Sequence, residues 1–385
     1  MKVLIAGHVY YDVDNAAMFR VREVSGALQR LGHDVTIVDG LSSDGPRRYS
    51  ATDVKLERVR SSSTIRHRLG RKFGVGFGFL DANAARERVD IIYCYGSELS
   101  WVLSCWRVAR RHRARLVLDV TELYGFEEMA TSFSTIRTRV GTWIGIFLCV
   151  PMLADAVVVP SRRFQRLIAR LGKPAHLLPP FFDDLAAGRR SAADANVLVL
   201  AYAGSPSNKE WLSLIFRALA IVELPQSKRI DVQLVGLDRS AVEVVAHESG
   251  AAHLLEREGV RILARGRVDV AEARAIVGAA DFSLVIRHPS IRVNYGFPSK
   301  VAEAFRLGTP VIGNAYSDLA FCLEDGRNGL FLRDETDAGL AALFARALAM
   351  DVVERQRMRE AAAATGRRTF SVEAGASKLR GVVAG

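Results

Sequence analysis

At 385 residues the chain is longer than one hydrophobic core usually serves, so two domains of about 150–200 residues each are expected. A composition of 49% hydrophobic and 25% charged residues, with no segment rich in Pro, Ser or Gln, excludes a disordered or low-complexity chain. The formal charge is +11, and about +10 of it falls in residues 1–190. Phosphorylated substrates, an anionic membrane face or nucleic acid would each suit such a surface, and so would plain solvation.

The chain opens with Met1-Lys2 followed at once by the apolar run Val3-Leu4-Ile5, so no signal peptide is read. Cys94, Cys105, Cys149 and Cys322 lack metal-type spacing, and buried thiols in a cytoplasmic protein are expected. Short apolar runs at 3–6, 35–38, 91–95, 116–120 and 156–159 alternate with segments of helical period, the first at 17–31 and ended by Gly32. The uncharged run 140–154 is too short to span a bilayer; it predicts a core helix, apolar enough to touch a membrane. Periodicity is lost over 178–194 and restarts with strands at 197–202, 232–235, 260–263, 282–286 and 310–312. The expected organisation is therefore a domain at 1–180, a linker at 181–195, a second domain at 196–365 and a C-terminal helix at 366–385 that packs back on the first. Each domain predicts a doubly wound α/β unit, with ligand at the carboxyl ends of the strands in the cleft between the two.

Gly7 and His8 follow the first strand, but a single glycine there falls short of a dinucleotide fingerprint. His8 reads equally as a satisfied loop histidine or as an acceptor contact. After the strand at 197–202, Ala203-Gly204-Ser205-Pro206-Ser207-Asn208-Lys209 combines a glycine turn, a helix start and a lysine, which suits a phosphate. An ordinary capped helix with a surface lysine is the alternative. The densest signal begins at Arg287, which ends a buried strand, and continues through Asn294-Tyr295-Gly296-Phe297-Pro298-Ser299-Lys300 to Glu303 and Gly308-Thr309-Pro310. A lysine near the positive end of a helix is disfavoured unless an anion is close, so Lys300 with Arg287 points to a diphosphate pocket. In the front half, Asp119-Val120-Thr121-Glu122-Leu123-Tyr124 ends an apolar strand, where Asp119 or Glu122 could hold or deprotonate an acceptor hydroxyl. A solvent-facing Glu122 is the alternative.

The order of these blocks resembles the GT4 family of retaining glycosyltransferases: a glycine turn with Lys209, then Gln233-Leu234-Val235-Gly236, 260 to Gly266, Ala280-Asp281, Gly-Phe-Pro, Glu303 and Gly-Thr-Pro-Val. The likeness covers the second domain and, more loosely, the first, and is nearest to a branch with a Gly-Phe-Pro-x-Lys sequence. It implies a GT-B fold of two Rossmann-like domains facing each other across a cleft. It also implies a nucleotide-diphosphate sugar as donor, Lys209 on the diphosphate and Glu303 on the donor ribose. Gly204, Ser205, Gly236, Gly266, Tyr295, Gly296, Phe297, Pro298 and Ser299 would line the donor site; Gly7, His8, Asp119 and Glu122 would face the acceptor. Tyr295 stands where the family has the first of two glutamates, and Ser205 where it has an arginine, so Arg287 or Lys300 is expected to neutralise phosphate instead.

The reaction implied is glycosyl transfer to a hydroxyl of a polysaccharide, lipid-linked or metabolite acceptor, with retention. Lys209, Arg287 and Lys300 would stabilise the departing diphosphate without a metal or resident cofactor. Arg66, Arg68, Arg71 and Lys72 before the apolar 73–80 suit docking on an anionic membrane, as a lipid-linked acceptor needs; a basic loop before a core segment is the alternative. A nucleotide-sugar epimerase of the same fold is the main rival. A nucleic-acid-binding protein is not expected, since Arg110, Arg111, Arg113 and Arg115 lack interleaved aromatics.

Overall fold

A computed structural model describes residues 1–7, 16–39, 55–58, 77–125, 133–183, 185, 194–204 and 210–384. His8, Ser205, Lys209 and the basic residues at 66–72 lie outside the described residues. The chain forms two compact units. One comprises Met1–Phe181, Asn294–Phe297 and Val372–Gly385; the other comprises Phe182–Val293 and Pro298–Ser371.

The first unit is built on seven parallel strands, β1 (Lys2–Gly7), β2 (Asp34–Asp39), β3 (Lys55–Arg58), β4 (Ile91–Tyr95), β5 (Arg115–Asp119), β6 (Ala156–Val159) and β7 (Ala175–Leu177). Their order in the sheet is β3-β2-β1-β4-β5-β6-β7. The order reverses between β1 and β4, where Gly7 is level with Tyr95. Such a reversal leaves a crevice at the carboxyl ends, which is where doubly wound sheets bind ligands. β1, β4, β5 and β6 are covered on both faces and so read as unbroken apolar runs.

The sheet is covered by helices that include α1 (Ala16–Arg30), α2 (Phe77–Glu87), α3 (Leu99–His112), α4 (Phe133–Ile144), α5 (Val150–Leu153) and α6 (Arg162–Arg170). In α1, Val21, Val24 and Leu28 lie at helical spacing and are buried with Val3, Ile5 and Ile37. The basic cluster read at 110–115 is largely structural. Arg110, Arg111 and His112 close α3, where cations suit the negative helix end, and Arg111 and His112 both pair with Asp81 at 3.2 and 2.7 Å. Arg115 Nη1 donates to the carbonyls of Val382 and Val383.

Residues 133–153 form one helical stretch interrupted by a π turn at Gly145–Cys149. Ile146, Cys149 and Val150 are buried, whereas Ile136 (40% exposed), Val140 (41%), Leu148 (56%) and Met152 (71%) are not. In a regular helix an i, i+4 row drifts by about 40° per step and would wind around the cylinder. The extra residue of the π turn takes back about 100° of rotation, so the exposed apolar row stays on one side.

The second unit repeats the design with six parallel strands, β8 (Val197–Ala203), β9 (Arg229–Val235), β10 (Val260–Gly266), β11 (Phe282–Val285), β12 (Val311–Asn314) and β13 (Gly329–Leu332), ordered β10-β9-β8-β11-β12-β13. Its helices include α7 (Leu212–Ile221), α8 (Arg239–Glu248), α9 (Val270–Ala279), α10 (Ile291–Tyr295), α11 (Ser299–Arg306), α12 (Asp337–Ala349) and α13 (Val352–Phe370). α10 ends in the Asn294–Phe297 segment that belongs to the first unit. α13 starts on a full capping box, with Asp351 and Glu354 satisfying each other's backbone N–H. From α13, buried Arg355 donates to the Val197 carbonyl at 2.9 Å and faces Asp281 at 3.4 Å.

The segment expected as one helix at 366–385 is in two parts. α13 runs to Phe370, Ser371 turns extended (φ −79°, ψ 161°), and α14 (Val372–Ala384) follows. α14 belongs to the first unit, where Leu379, Val382 and Val383 join the core beside α1 and Gly375 lies under the Phe181 ring.

Candidate functional site

In the second unit the strands at the order reversal, β8 and β11, end at Ala203 and Val285, so Gly204 and Arg287 follow them closely. Arg287 is fixed through its backbone. Asn314, the last residue of β12, accepts from the Arg287 N–H at 2.9 Å and donates Nδ2 to its carbonyl at 2.8 Å, continuing the strand pairing with a side chain. The guanidinium turns into a knot of charge. Arg287 Nη2 donates to Glu210 Oε1 at 3.3 Å, and Lys300 Nζ, at the second position of α11, donates to the same oxygen at 2.7 Å. Lys300 also sits over the Tyr202 ring at 4.5 Å, and Arg287 over Tyr316 at 5.7 Å, both favourable cation–π contacts.

Gly204 makes room for this arrangement. Its φ of +152° suits glycine, and a Cβ there would fall 2.3 Å from Lys300 Nζ. Gly236 follows β9 and Gly266 ends β10, with the Gly236 N–H donating to the Gly266 carbonyl at 2.7 Å.

Glu303, one turn into α11, is half-buried and accepts from Arg274 Nε at 2.7 Å; Arg274 in turn lies over the Phe182 ring at 5.9 Å. Pro298 occupies the N-cap of α11 and Ser299 its first position, without a side-chain cap. Tyr295, Gly296 and Phe297 belong instead to the first unit. There the Tyr295 carbonyl accepts from Ser161 Oγ at 2.7 Å, and its ring packs edge-on to Phe164, with Arg163 5.3 Å away over its face. The structure thus brings Gly204, Arg287 and Lys300 together, and places Glu303 on the same helix as Lys300.

In the first unit, Gly7 ends β1 with φ +142°, and a Cβ there would fall 2.2 Å from the Tyr95 carbonyl oxygen. Asp119 ends β5 fully buried. Arg20 of α1 grips it with Nε on Oδ2 at 2.8 Å and Nη2 on Oδ1 at 2.9 Å, while Tyr93 Oη donates to Oδ2 at 2.8 Å. Burial opposes the Arg20 charge, but Asp119 outweighs it and the Arg20 pKa is raised. Burial also pushes the Tyr93 hydroxyl up, with Asp119 acting the same way, and lifts Tyr95 to about 12. With both carboxylate oxygens engaged, this geometry fits an anchoring role for Asp119, tying α1 to β5 and, through Arg20 Nη1, to the Leu178 carbonyl at 3.1 Å. Glu122 beside it accepts from Tyr124 Oη.

Glu210 and Arg20 were not foreseen from sequence. Arg20 left a trace, because it falls with Val24 and Ala27 on the apolar stripe of α1, where an unpaired charge would be costly. Glu210 left none beyond following Lys209.

Two doubly wound parallel units in tandem, each with a glycine turn at its order reversal, form the GT-B fold used by glycosyltransferases. Residues 17–180 match the glycosyl transferase 4-like domain and residues 197–350 the glycosyl transferases group 1 domain, which makes the chain a GT4-like enzyme of that fold. Among solved structures it is similar to a sucrose-phosphate synthase from Thermosynechococcus elongatus (TM-score 0.75, 17% identity, covering 99% of this chain and 97% of that one). It is also similar to Anabaena Alr3699/HepE in complex with UDP-glucose (0.69, 16%, 100% of both chains) and to the lipopolysaccharide outer core galactosyltransferase WaaB (0.67, 12%, 100% and 99%). No curated protein matches the chain significantly in sequence.

Proposed function

We propose that the enzyme moves a sugar from a nucleotide-diphosphate donor to a hydroxyl acceptor with retention of configuration, and that it belongs to the branch with the Gly-Phe-Pro-x-Lys sequence. The observation that carries this reading is the meeting of Lys300 and Arg287 beside Gly204, at the carboxyl ends of the central strands. A departing nucleoside diphosphate gathers negative charge, and two fixed cations in a partly dry site stabilise it more than solvent would. Lys209, which precedes Glu210 in the sequence, would add a third. Glu303 would hold the donor ribose, oriented by Arg274. Neither a metal nor a resident cofactor has a role in this scheme. UDP-glucose bound to the Anabaena relative supports a nucleotide sugar as donor.

On the acceptor side Gly7, His8 and Glu122 are the proposed contacts, with Asp119 and Arg20 holding the strand end in place. A lipid-linked acceptor at an anionic membrane surface is favoured by the exposed apolar row Ile136, Val140, Leu148 and Met152, on a stretch of 21 residues (Phe133–Leu153) that carries Arg137 and Arg139 and no acid. Among the described residues no helix is long and apolar enough to cross a membrane, so the proposal is docking on the surface. The acceptor class of the WaaB relative points the same way.

The test is a thermal-shift screen of nucleotide sugars and nucleoside diphosphates on the full chain, because a ligand bound only by the folded state must raise the melting temperature. At least one nucleotide sugar is expected to do so, and to turn over when acceptor is added. A panel that leaves the melting temperature unmoved would overturn the donor assignment. Consumption of the nucleotide sugar to an isomer, without acceptor, would favour an epimerase.

A further inference from the structure

Glu210 is the most deeply buried charge of the knot, its side chain 5% exposed against 11% for Arg287 and 21% for Lys300. Its Oε1 faces both cations at once, in a site where charge is poorly screened. The same knot is short of acceptors. Arg287 Nε, Tyr202 Oη and Tyr316 Oη are all buried, and none has a hydrogen-bond partner among the described residues. Burial raises both phenols, with Glu210 adding to the effect and Arg287 opposing it, so both keep an O–H to donate at neutral pH. Buried donors in folded proteins are nearly always satisfied, and three unmet in one place mark where a ligand rich in oxygen belongs.

We propose that Glu210 is a built-in counter-anion: it holds Lys300 and Arg287 together while the site is empty and competes with the diphosphate for the same two cations, thereby setting how fast the nucleoside diphosphate product leaves. This rests on the donor-site reading above. Two partly buried cations without a neutralising partner would repel each other and destabilise the empty protein. With a permanent partner that could not be displaced, they would bind diphosphate poorly. A single carboxylate shared between both lies between these limits. Glu210 acts through Lys300 and Arg287 and is a positioning residue, so its signature is a change in affinity and release with little change in the transfer step itself.

The experiment uses the full chain, with inorganic pyrophosphate and UDP as probes measured by calorimetry. Glu210→Gln keeps the shape and one acceptor but removes the charge. It is expected to bind pyrophosphate about tenfold more tightly than the wild type, with a steeper loss on adding salt. Steady-state turnover should fall while the single-turnover rate holds, as for slowed product release. The empty variant should melt lower than the wild type and regain more on adding pyrophosphate. If Glu210→Gln does not fold, Glu210→Asp serves. Its shorter carboxylate holds the cations less well, and tighter pyrophosphate binding is again expected. Equal or weaker binding in the folded variants would overturn the proposal, leaving Glu210 as an orienting group only. Arg287→Met and Lys300→Met control for the site itself. If they bind both probes as well as the wild type, the diphosphate site lies elsewhere and the donor reading fails with it.

Discussion

Gly204 gives the sharpest mechanical test of the proposed donor site. In Gly204→Ala the new methyl would stand 2.3 Å from Lys300 Nζ and 2.6 Å from its Cε, where comfortable contact needs about 3.5 Å. The Lys300 terminus must therefore shift by about 1 Å, which disturbs the ammonium's 2.7 Å bond to Glu210. A misplacement of that size costs about a hundredfold in rate where catalysis depends on positioned charge. Separately, the φ of +152° is poorly suited to alanine, and such strain costs on the order of 1–3 kcal/mol of stability. The assay is turnover of a nucleotide sugar that shifts the wild-type melting temperature, together with thermal unfolding of each variant. Lys300→Ala removes the obstructing side chain. The double variant Gly204→Ala/Lys300→Ala should thus be more stable than the two single costs predict, yet no more active than Lys300→Ala alone. Turnover of Gly204→Ala within threefold of wild type would refute the coupling between this turn and Lys300.

Arg287→Met and Lys300→Met should each lower turnover about a hundredfold with a smaller loss of donor affinity, as for removal of one charge-stabilising donor; weakened binding with unchanged turnover would make them ground-state anchors. Glu303→Ala should abolish most activity without unfolding the protein, which circular dichroism and donor binding would check, and near-normal turnover would remove Glu303 from the site. Asp119→Ala leaves Arg20 buried without its partner and should cost about 3–5 kcal/mol in chemical denaturation with a milder effect from Asp119→Asn; an equal loss of activity at full stability would instead make Asp119 a substrate contact. Co-sedimentation with anionic vesicles at low salt should be lost in Leu148→Glu/Met152→Glu with donor binding intact, and absence of wild-type binding would count against surface docking.

What could be read from the residues follows from what each position must satisfy locally. The central strands β1, β4, β5, β8 and β11 are buried on both faces, so their apolar runs are visible without knowledge of neighbours. The strands that sequence reading missed, β3, β7 and β13, all lie at sheet edges. An edge strand can be short and mixed in character, as Lys55-Leu56-Glu57-Arg58 is, because one side of its ladder has no partner and needs no apolar signature. The pairing of Arg287 with Lys300 was legible because Arg287 follows a buried strand and Lys300 opens a helix, where a cation is out of keeping with the helix dipole. Glu210 was not, since its two partners are 77 and 90 residues away and nothing in its own surroundings demands them. The grip of Arg20 on Asp119 spans 99 residues and was hidden in the same way. Asp119, read as an acid that could hold or deprotonate an acceptor hydroxyl, has both carboxylate oxygens engaged by that grip.

The placement of α14 has a consequence for how the protein is made. β1 to β7 are complete once the ribosome has passed Leu177, but Val372, Leu379, Val382 and Val383, which fill the same core as Val3, Val21 and Phe181, are translated about two hundred residues later. At roughly 5–20 residues per second that interval is on the order of 10–40 s. Throughout it the apolar residues of α1 that α14 later covers are without that helix. The second unit, from Phe182 onward, has all its pieces before that moment and can fold first. Completion of the N-terminal core thereby waits until the whole second unit has been made.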